Sequence, residues 1–260
     1  PADNDDTYSR KPKDTRPISL SNTDNKTTST LFNHTATQIA QNTVSAEQAC
    51  LEGRQMGDNI IDIESKALTF AIQHSPLGGI AAFDISAAFP SISRLYIFRI
   101  LRTMGLPQHF IDGINKLYHN NLHYIFINNL VSHTILFTSG VKQGCPLSMT
   151  LFALAMDPII RYISTTIAPH NGIIRGYCDD LCIATQNLIL TLRHTTAIFI
   201  IIAHTSNLHL NSTKTQILCI THHGKKRLLE HINKHLPQLH NAQFTDAVLY
   251  LGMLIGPAAH

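Results

Sequence analysis

The spacing of apolar residues changes along the chain, and each change marks an element. Residues 29–48 are largely polar with scattered apolar positions, which predicts a solvated helix. A second helix is predicted over 59–73, carrying Ile60, Ile61, Ile63, Leu68 and Ile72. Pro76 and Gly78-Gly79 break that pattern before Gly79-Ile80-Ala81-Ala82-Phe83, a short apolar run that reads as a strand ending at Asp84. Ser93 is placed to cap a helix through Met104, where Leu95, Phe98, Leu101 and Met104 recur at three-residue steps. Gly105 stops it, and Pro107 opens the next helix, to near His119. Tyr124-Ile125-Phe126-Ile127 and Thr134-Ile135-Leu136-Phe137 bracket Asn128-Asn129 and predict a hairpin. Pro146 begins a helix to near Thr165, and another is predicted over 188–207. Between those two helices, Gly172 to Gly176 and Leu181 to Thr185 form a second predicted hairpin. The order strand-helix-strand-strand-helix-strand predicts an α+β chain. Its antiparallel sheet would be of split βαβ type, covered on one side by helices.

At 260 residues and 44% hydrophobic content, the chain can bury one substantial core with subdomains. Its net charge of +3 and pI near 8.7 are mildly basic, compatible with a nucleic-acid cleft. Five cysteines, an odd number at irregular spacing, make no disulfide framework and point to a reducing compartment. The most apolar stretch, residues 197–203, is too short to span a bilayer and reads as a buried helix beneath the sheet. Cys219, His222, His223, His231 and His235 match no standard zinc spacing, and this segment reads as a solvated helix instead.

The chemistry concentrates in the second hairpin, whose turn carries Asp179 and Asp180 after Tyr177-Cys178. An Asp-Asp pair on its own is usually a solvated turn. A third acid, Asp84, at the end of another predicted strand changes that reading. Strand-end acids on one sheet make a cradle for two Mg²⁺ ions, the machinery of nucleotidyl transfer.

The segments around these acids resemble known motifs. Phe83-Asp84-Ile85-Ser86-Ala87-Ala88-Phe89, then Gly140-Val141-Lys142-Gln143-Gly144-Cys145-Pro146-Leu147-Ser148, then Tyr177-Cys178-Asp179-Asp180 resemble three ordered motifs of reverse transcriptases. The type they resemble most is encoded by non-LTR (LINE-like) retrotransposons. Arg16-Pro17-Ile18-Ser19-Leu20 resembles the fingers motif, Leu210 to Thr215 the lysine motif, and Tyr250-Leu251-Gly252 the primer-grip hairpin. Six motifs in order cover nearly the whole chain.

The resemblance implies a right-hand polymerase with fingers and palm, the thumb largely absent, as expected of a piece of a longer polyprotein. Residues 1–76 would be fingers, with the first fifteen or so mobile. Residues 77–112 would be palm, 113–139 a fingers insertion, 140–225 palm again, and 226–260 the end of the palm and start of a thumb.

It further implies that Asp84 and Asp179 are bridging metal ligands, Asp180 is the third, and the cofactor is Mg²⁺ as two ions, with Mn²⁺ a substitute. Phe89 would lie under the sugar of the incoming nucleotide and exclude a ribose 2′-hydroxyl. Ala88 leaves no second acid nearby, which argues against an RNA polymerase. Gln143 and Gly144 would face the nascent base pair, with Met149 where the family commonly has proline. Arg16 would grip the triphosphate, with Lys11 or Lys13 assisting, and Lys214 would serve the departing pyrophosphate as general acid or charge partner. Arg54, in Glu52-Gly53-Arg54-Gln55, resembles a further fingers motif one residue short of its usual form. Cys178, where the family commonly has a small or apolar residue, would not ligate Mg²⁺.

The partners implied are an RNA template, a DNA or RNA primer and dNTPs, with no membrane. The expected setting is intracellular, in the nucleus, the cytoplasm or both, where the sequons at Asn25, Asn33 and Asn211 mean little. Two rival readings are a decayed or repurposed nucleic-acid-binding domain without catalysis, and a group II intron-type reverse transcriptase.

Overall fold

The computed structural model describes residues 18–127 and 129–257. The first helix, α1 (Thr23–Thr43), starts earlier than its polar pattern suggests. The Asn22 side chain accepts the Asn25 N–H at 2.9 Å and so supplies the missing cap. It also ends earlier, at Thr43, which leaves Gln48 in a β-bridge rather than in a helix. Helix α2 (Met56–Ile72) buries Ile60, Ile63 and Phe70. Of the apolar residues expected on it, Ile61, Leu68 and Ile72 face solvent.

Strand β1 (Gly79–Phe83) ends at Asp84 as predicted. It is followed by β2 (Ile85–Ser86) and a single helical turn, α3 (Ala88–Ser91), too short to show a period. Helix α4 (Arg94–Thr103) is capped by Ser93, whose hydroxyl accepts the Tyr96 N–H at 3.3 Å. Helix α5 (Gln108–Tyr118) follows Pro107.

The fingers hairpin differs from expectation. Four short strands form two ladders: β3 (Leu122–His123) with β6 (Ile135–Leu136), and β4 (Phe126–Ile127) with β5 (Leu130–Val131). Ile135-Leu136 therefore pairs with Leu122-His123, not with Tyr124 to Ile127. Leu130-Val131 pairs with Phe126-Ile127 and takes the inner position. Four residues on one strand then match five on the other, so the hairpin carries a bulge.

The palm follows. Helix α6 (Pro146–Ile167) leads to β7 (Ile173–Tyr177) and β8 (Asp180–Thr185), then to α7 (Leu188–Ser206) and the short β9 (His209–Leu210). Next come β10 (Gln216–Cys219), α8 (His222–His235), β11 (Gln243–Phe244), and the hairpin of β12 (Val248–Tyr250) and β13 (Met253–Ile255). The central sheet has the order β11-β10-β1-β8-β7, antiparallel except for β10 with β11. This is the split βαβ arrangement, with β1 inserted between the strands that follow α6 and α7.

Side chains alternate across β1 and β8 with the strand period of two. Ala81, Phe83, Leu181 and Ile183 join the core built on α6 and α7, where Phe83 and Phe199 ring centroids lie 5.2 Å apart. Ile80, Cys182 and Ala184 turn the other way, onto Ile60, Ile63 and Phe70 of α2 and Val248, Tyr250 and Ile255 of the last hairpin. The two long helices cover one face as expected, and α2 with β12 and β13 closes part of the other.

Residues 197–203 lie inside α7. That seven-residue stretch is too short to span a bilayer by itself, although by length and composition the helical segments Pro146–His170 and Leu188–Ser206 are each long and apolar enough to do so. Here they are the helices that fill the core, with 61% and 44% of their apolar windows buried. Helix α8 packs on α7 and β10 through Leu228 and Ile232, and among the described residues no group of His, Cys, Asp and Glu is placed to hold zinc.

Candidate active site

The last pair between β1 and β8 is Phe83 with Leu181, and the last between β7 and β8 is Tyr177 with Asp180. Asp84 therefore lies one step beyond a strand end that adjoins Asp180, and Asp179 sits in the turn itself. The turn is tight. Cys178 has φ +55°, a left-handed conformation that non-glycine residues adopt at a cost. Beyond Asp84, β2 pairs with β9, so the chain after α7 returns beside the first acid. The Asn211 N–H donates to the Asp84 carbonyl at 2.8 Å, and the Lys214 and Thr215 N–H groups donate back to the Asn211 carbonyl. That compact loop presents Lys214 to the acids.

Two cavities meet here. One, of about 540 Å³, is lined by Asp84, Asp180, Lys214, Tyr177 and the Tyr250-Leu251-Gly252 turn. The other, of about 500 Å³, is lined by Asp84, Asp179, Phe89, Gln143, Gly144 and Lys214. Asp84 and Lys214 belong to both, while the paired acids divide, Asp179 to one side and Asp180 to the other.

The second cavity owes its shape to Phe89 and to the loop before α6. The Phe89 ring stacks on Phe152 with centroids 4.5 Å apart and planes 9° from parallel, and the Phe89 carbonyl accepts the Val141 N–H at 2.8 Å. Gly140 has φ +75°, and a Cβ there would lie 2.3 Å from the Pro90 carbonyl oxygen, so only glycine lets the loop approach α3 this closely. Arg94 ties the loop down from below, donating to the carbonyls of Gly140, Tyr118, Phe137 and Ser139 at 2.9–3.1 Å. Burial, the larger influence, holds its pKa below the ordinary arginine value. The Ser19 N–H donates to the Gln143 carbonyl at 2.8 Å, so the segment before α1 lies against this loop.

Lys142 lines the same cavity with its ammonium 5.8 Å from the Tyr118 ring centroid, and burial lowers its pKa. The sequence reading did not single it out, because a lysine beside Gln143 carries no signal until the loop is folded. Arg16, Lys11 and Lys13 lie outside the described residues.

On the other side, Leu251 (φ +51°) and Gly252 (φ +83°) form the two-residue turn between β12 and β13. Tyr250 is buried, and the Asn59 amide donates to its hydroxyl at 3.5 Å. Burial, the largest influence, raises the pKa of this phenol.

Segment 44–59, of which only Arg54 was singled out in the sequence, proves to be the support of the β7–β8 hairpin. Its Gln48 bridges to Gly176 in parallel register, extending the sheet beyond β7. The Ala49 N–H donates to the Gly176 carbonyl at 2.8 Å, the Gly176 N–H to the Glu47 carbonyl at 2.7 Å, and the Asn59 amide to the Gly176 carbonyl at 3.0 Å. Arg54 faces this segment, its guanidinium donating to the carbonyls of Val44, Ser45 and Gln48.

Among the described residues no three His, Cys, Asp or Glu side chains close on a metal by themselves. The donor set nevertheless suits Mg²⁺, which is commonly held by one or two carboxylates and completes its shell with water and substrate phosphates. Asp84 with Asp179 or Asp180, each beside an open cavity, fits that description. Cys178 does not compete. Its thiol is pushed up by its hydrogen bond with the buried Cys50 thiol and by burial, so it stays protonated.

The profile of the reverse transcriptase (RNA-dependent DNA polymerase) family matches residues 4–255. The chain is 24% identical over 185 residues to the transposon TX1 uncharacterized 149 kDa protein of Xenopus laevis, covering 68% of this chain and 14% of that protein. It is 33% identical over 111 residues to the Pol polyprotein of the type-2 retrotransposable element R2DM of Drosophila melanogaster, covering 41% of this chain and 10% of that one. The chain thus spans a small part of these relatives' length.

Among solved structures, telomerase from Candida albicans in complex with a TWJ fragment of telomeric RNA superposes with a TM-score of 0.59 at 10% identity. The superposition covers 88% of this chain and 37% of that one. Telomerase from Candida tropicalis lacking its C-terminal domain gives 0.57 at 9% identity, covering 88% and 43%. These likenesses show the fold. With residues of five of the motifs lining one pair of cavities and a family profile spanning the chain, the protein belongs to the reverse transcriptase family, as a domain of the non-LTR retrotransposon type.

Proposed function

We propose that this domain extends a DNA or RNA primer with dNTPs on an RNA template, within a retrotransposon polyprotein, and that Asp84, Asp179 and Asp180 hold two Mg²⁺ ions, replaceable by Mn²⁺. The observation that carries this reading is the sharing of Asp84 and Lys214 by two cavities, one beside Phe89 and Gln143, the other beside the Tyr250-Leu251-Gly252 turn. Such a junction lets one carboxylate serve both partners of the new bond. When bound, the metal ions would activate the primer 3′-hydroxyl and stabilise charge on the triphosphate and pyrophosphate.

The protein side supplies position and charge. Phe89, braced by Phe152, presents a rigid surface to the nucleotide sugar, and Gln143 and Gly144 face the base pair. Lys142 adds a cation to that cavity, and Lys214 stands where pyrophosphate departs. Arg16 and Lys11 would approach the triphosphate from the fingers segment, a role supported by the Ser19–Gln143 bond a few residues on. The Tyr250-Leu251-Gly252 turn would bear on the primer strand. Five free cysteines are in keeping with a reducing, intracellular setting in nucleus or cytoplasm.

The test is dNTP incorporation on a homopolymer RNA template with a matched primer, beside a binding assay. Incorporation that requires Mg²⁺ and is lost in Asp179→Asn supports the proposal. Template–primer binding without Mg²⁺-dependent incorporation would show a binding domain instead.

A further inference from the structure

We infer that Gln48 is a positioning residue for Asp179, acting through the backbone of Cys178. This rests on the proposed role of Asp179 in nucleotidyl transfer. In a two-residue turn the first residue has no partner in the strand ladder, so its N–H and C=O must find one elsewhere. At Cys178 water is not available, because the residue is buried. One side chain meets both needs. The Gln48 Oε1 accepts the Cys178 N–H at 2.9 Å, and the Gln48 Nε2 donates to the Cys178 carbonyl at 3.3 Å. The primary amide thus copies the donor–acceptor edge of a neighbouring strand, at the one residue of the hairpin that holds a left-handed φ.

The clamp is itself held. Gln48 is fully buried, bridges to Gly176, and has its own carbonyl capped by Arg54 at 2.6 Å. Asn59 secures Gly176 two residues before the turn. Five hydrogen bonds tie both ends of the Gly176-to-Cys178 segment to segment 47–59. Asp179 follows Cys178 directly, so the orientation of the Cys178 carbonyl sets the direction of the peptide that leads to its carboxylate. Loss of the clamp leaves the carboxylate chemically intact but no longer directed by the Cys178 peptide.

The experiment uses Gln48→Met, which keeps the side-chain length and volume and removes both hydrogen bonds. Three readouts are taken: the Mg²⁺ dependence of single-nucleotide incorporation, KM for dNTP, and amide hydrogen exchange at Cys178. Supporting-residue changes around metal ligands cost about 10–100-fold in metal affinity or activity, so kcat at fixed Mg²⁺ is expected to fall by about that factor. The half-saturating Mg²⁺ concentration should rise, while KM for dNTP and template–primer affinity stay near those of the parent chain. An unchanged kcat and Mg²⁺ requirement would overturn the inference. So would a kcat loss matched by a raised KM and a lowered Tm, which would mark a merely structural residue.

Should Gln48→Met not fold, exchange in the unsubstituted chain decides alone. The Cys178 amide is expected to be protected like those of β1 and β8, and rapid exchange would overturn the clamp. Because exchange needs no catalysis, it separates failure of the clamp from failure of the proposed activity.

Discussion

The backbone N–H of Asn211 donates to the carbonyl of Asp84 across 2.8 Å, joining the first of the three proposed metal-binding acids to the loop that carries Lys214. The bond explains how a lysine far along the chain comes to line both cavities. Lys214→Gln keeps the loop, since its hydrogen bonds are made by backbone. Acid–base groups contribute about 10²–10⁴-fold, so a kcat loss of at least about 10²-fold is expected with little change in Tm. Pre-steady-state incorporation beside a thermal melt checks it, and a near-parental kcat would remove Lys214 from the chemistry.

Asp84→Asn and Asp179→Asn should each lower incorporation by about 10³-fold, the scale of losing a charge aimed at the transition state. Both side chains are part-exposed at strand ends, so the cooperative melt should survive. Asp180→Asn probes whether the acid facing the primer-side cavity matters equally. Retention of roughly a tenth of parental activity in either of the first two would contradict the metal assignment.

Phe89→Val should admit ribonucleotides. Removing the ring opens the floor of the nucleotide cavity and breaks the stack on Phe152, at a cost of about 1 kcal/mol beyond lost burial. Competing dNTP and rNTP incorporation is the measurement, with the preference for dNTP expected to fall by at least about tenfold. An unchanged ratio would place discrimination at another residue.

Leu251 holds a left-handed φ in a turn where asparagine before glycine is the favoured pair. Leu251→Asn should therefore relieve backbone strain of about 1 kcal/mol, partly offset by lost packing. The melt should be equal or higher, whereas primer extension should fall if the leucine side chain touches the primer. Lower stability together with full extension would contradict both halves of this prediction.

Alkaline pH should destabilise the fold through buried phenols. Burial raises the pKa of Tyr96 to about 12 from an ordinary value of 10.0, and burial likewise raises Tyr118 and Tyr250. Because the folded pKa is the higher one, this contribution is fully present below pH 10.0 and is lost as pH rises towards 12. From Tyr96 alone the loss approaches about 3 kcal/mol at the upper end, at 1.36 kcal/mol per unit. Urea melts across that window report it, and Tyr96→Phe should flatten part of the slope.

The sequence by itself determined what depends on neighbours a few residues apart. The apolar run ending at Asp84, the paired acids between two short strands, Ser93 before α4 and Pro146 at the start of α6 are local signals, and each stands where its pattern placed it. The order of strands and helices was legible for the same reason.

What only the tertiary structure decided depends on contacts between distant segments. The faces of α2 were not readable because its apolar residues lie on both sides, and only packing against the sheet selected Ile60 and Ile63 over Ile61 and Leu68. In the hairpin over 122–136, Phe126-Ile127 took the nearer partner, Leu130-Val131, because a shorter connection closes at lower entropic cost than a longer one. Gln48 and Cys178 are 130 positions apart, and nothing local in either marks them as partners. A buried peptide must find a donor and an acceptor somewhere, and the chain meets that requirement only after the palm has folded.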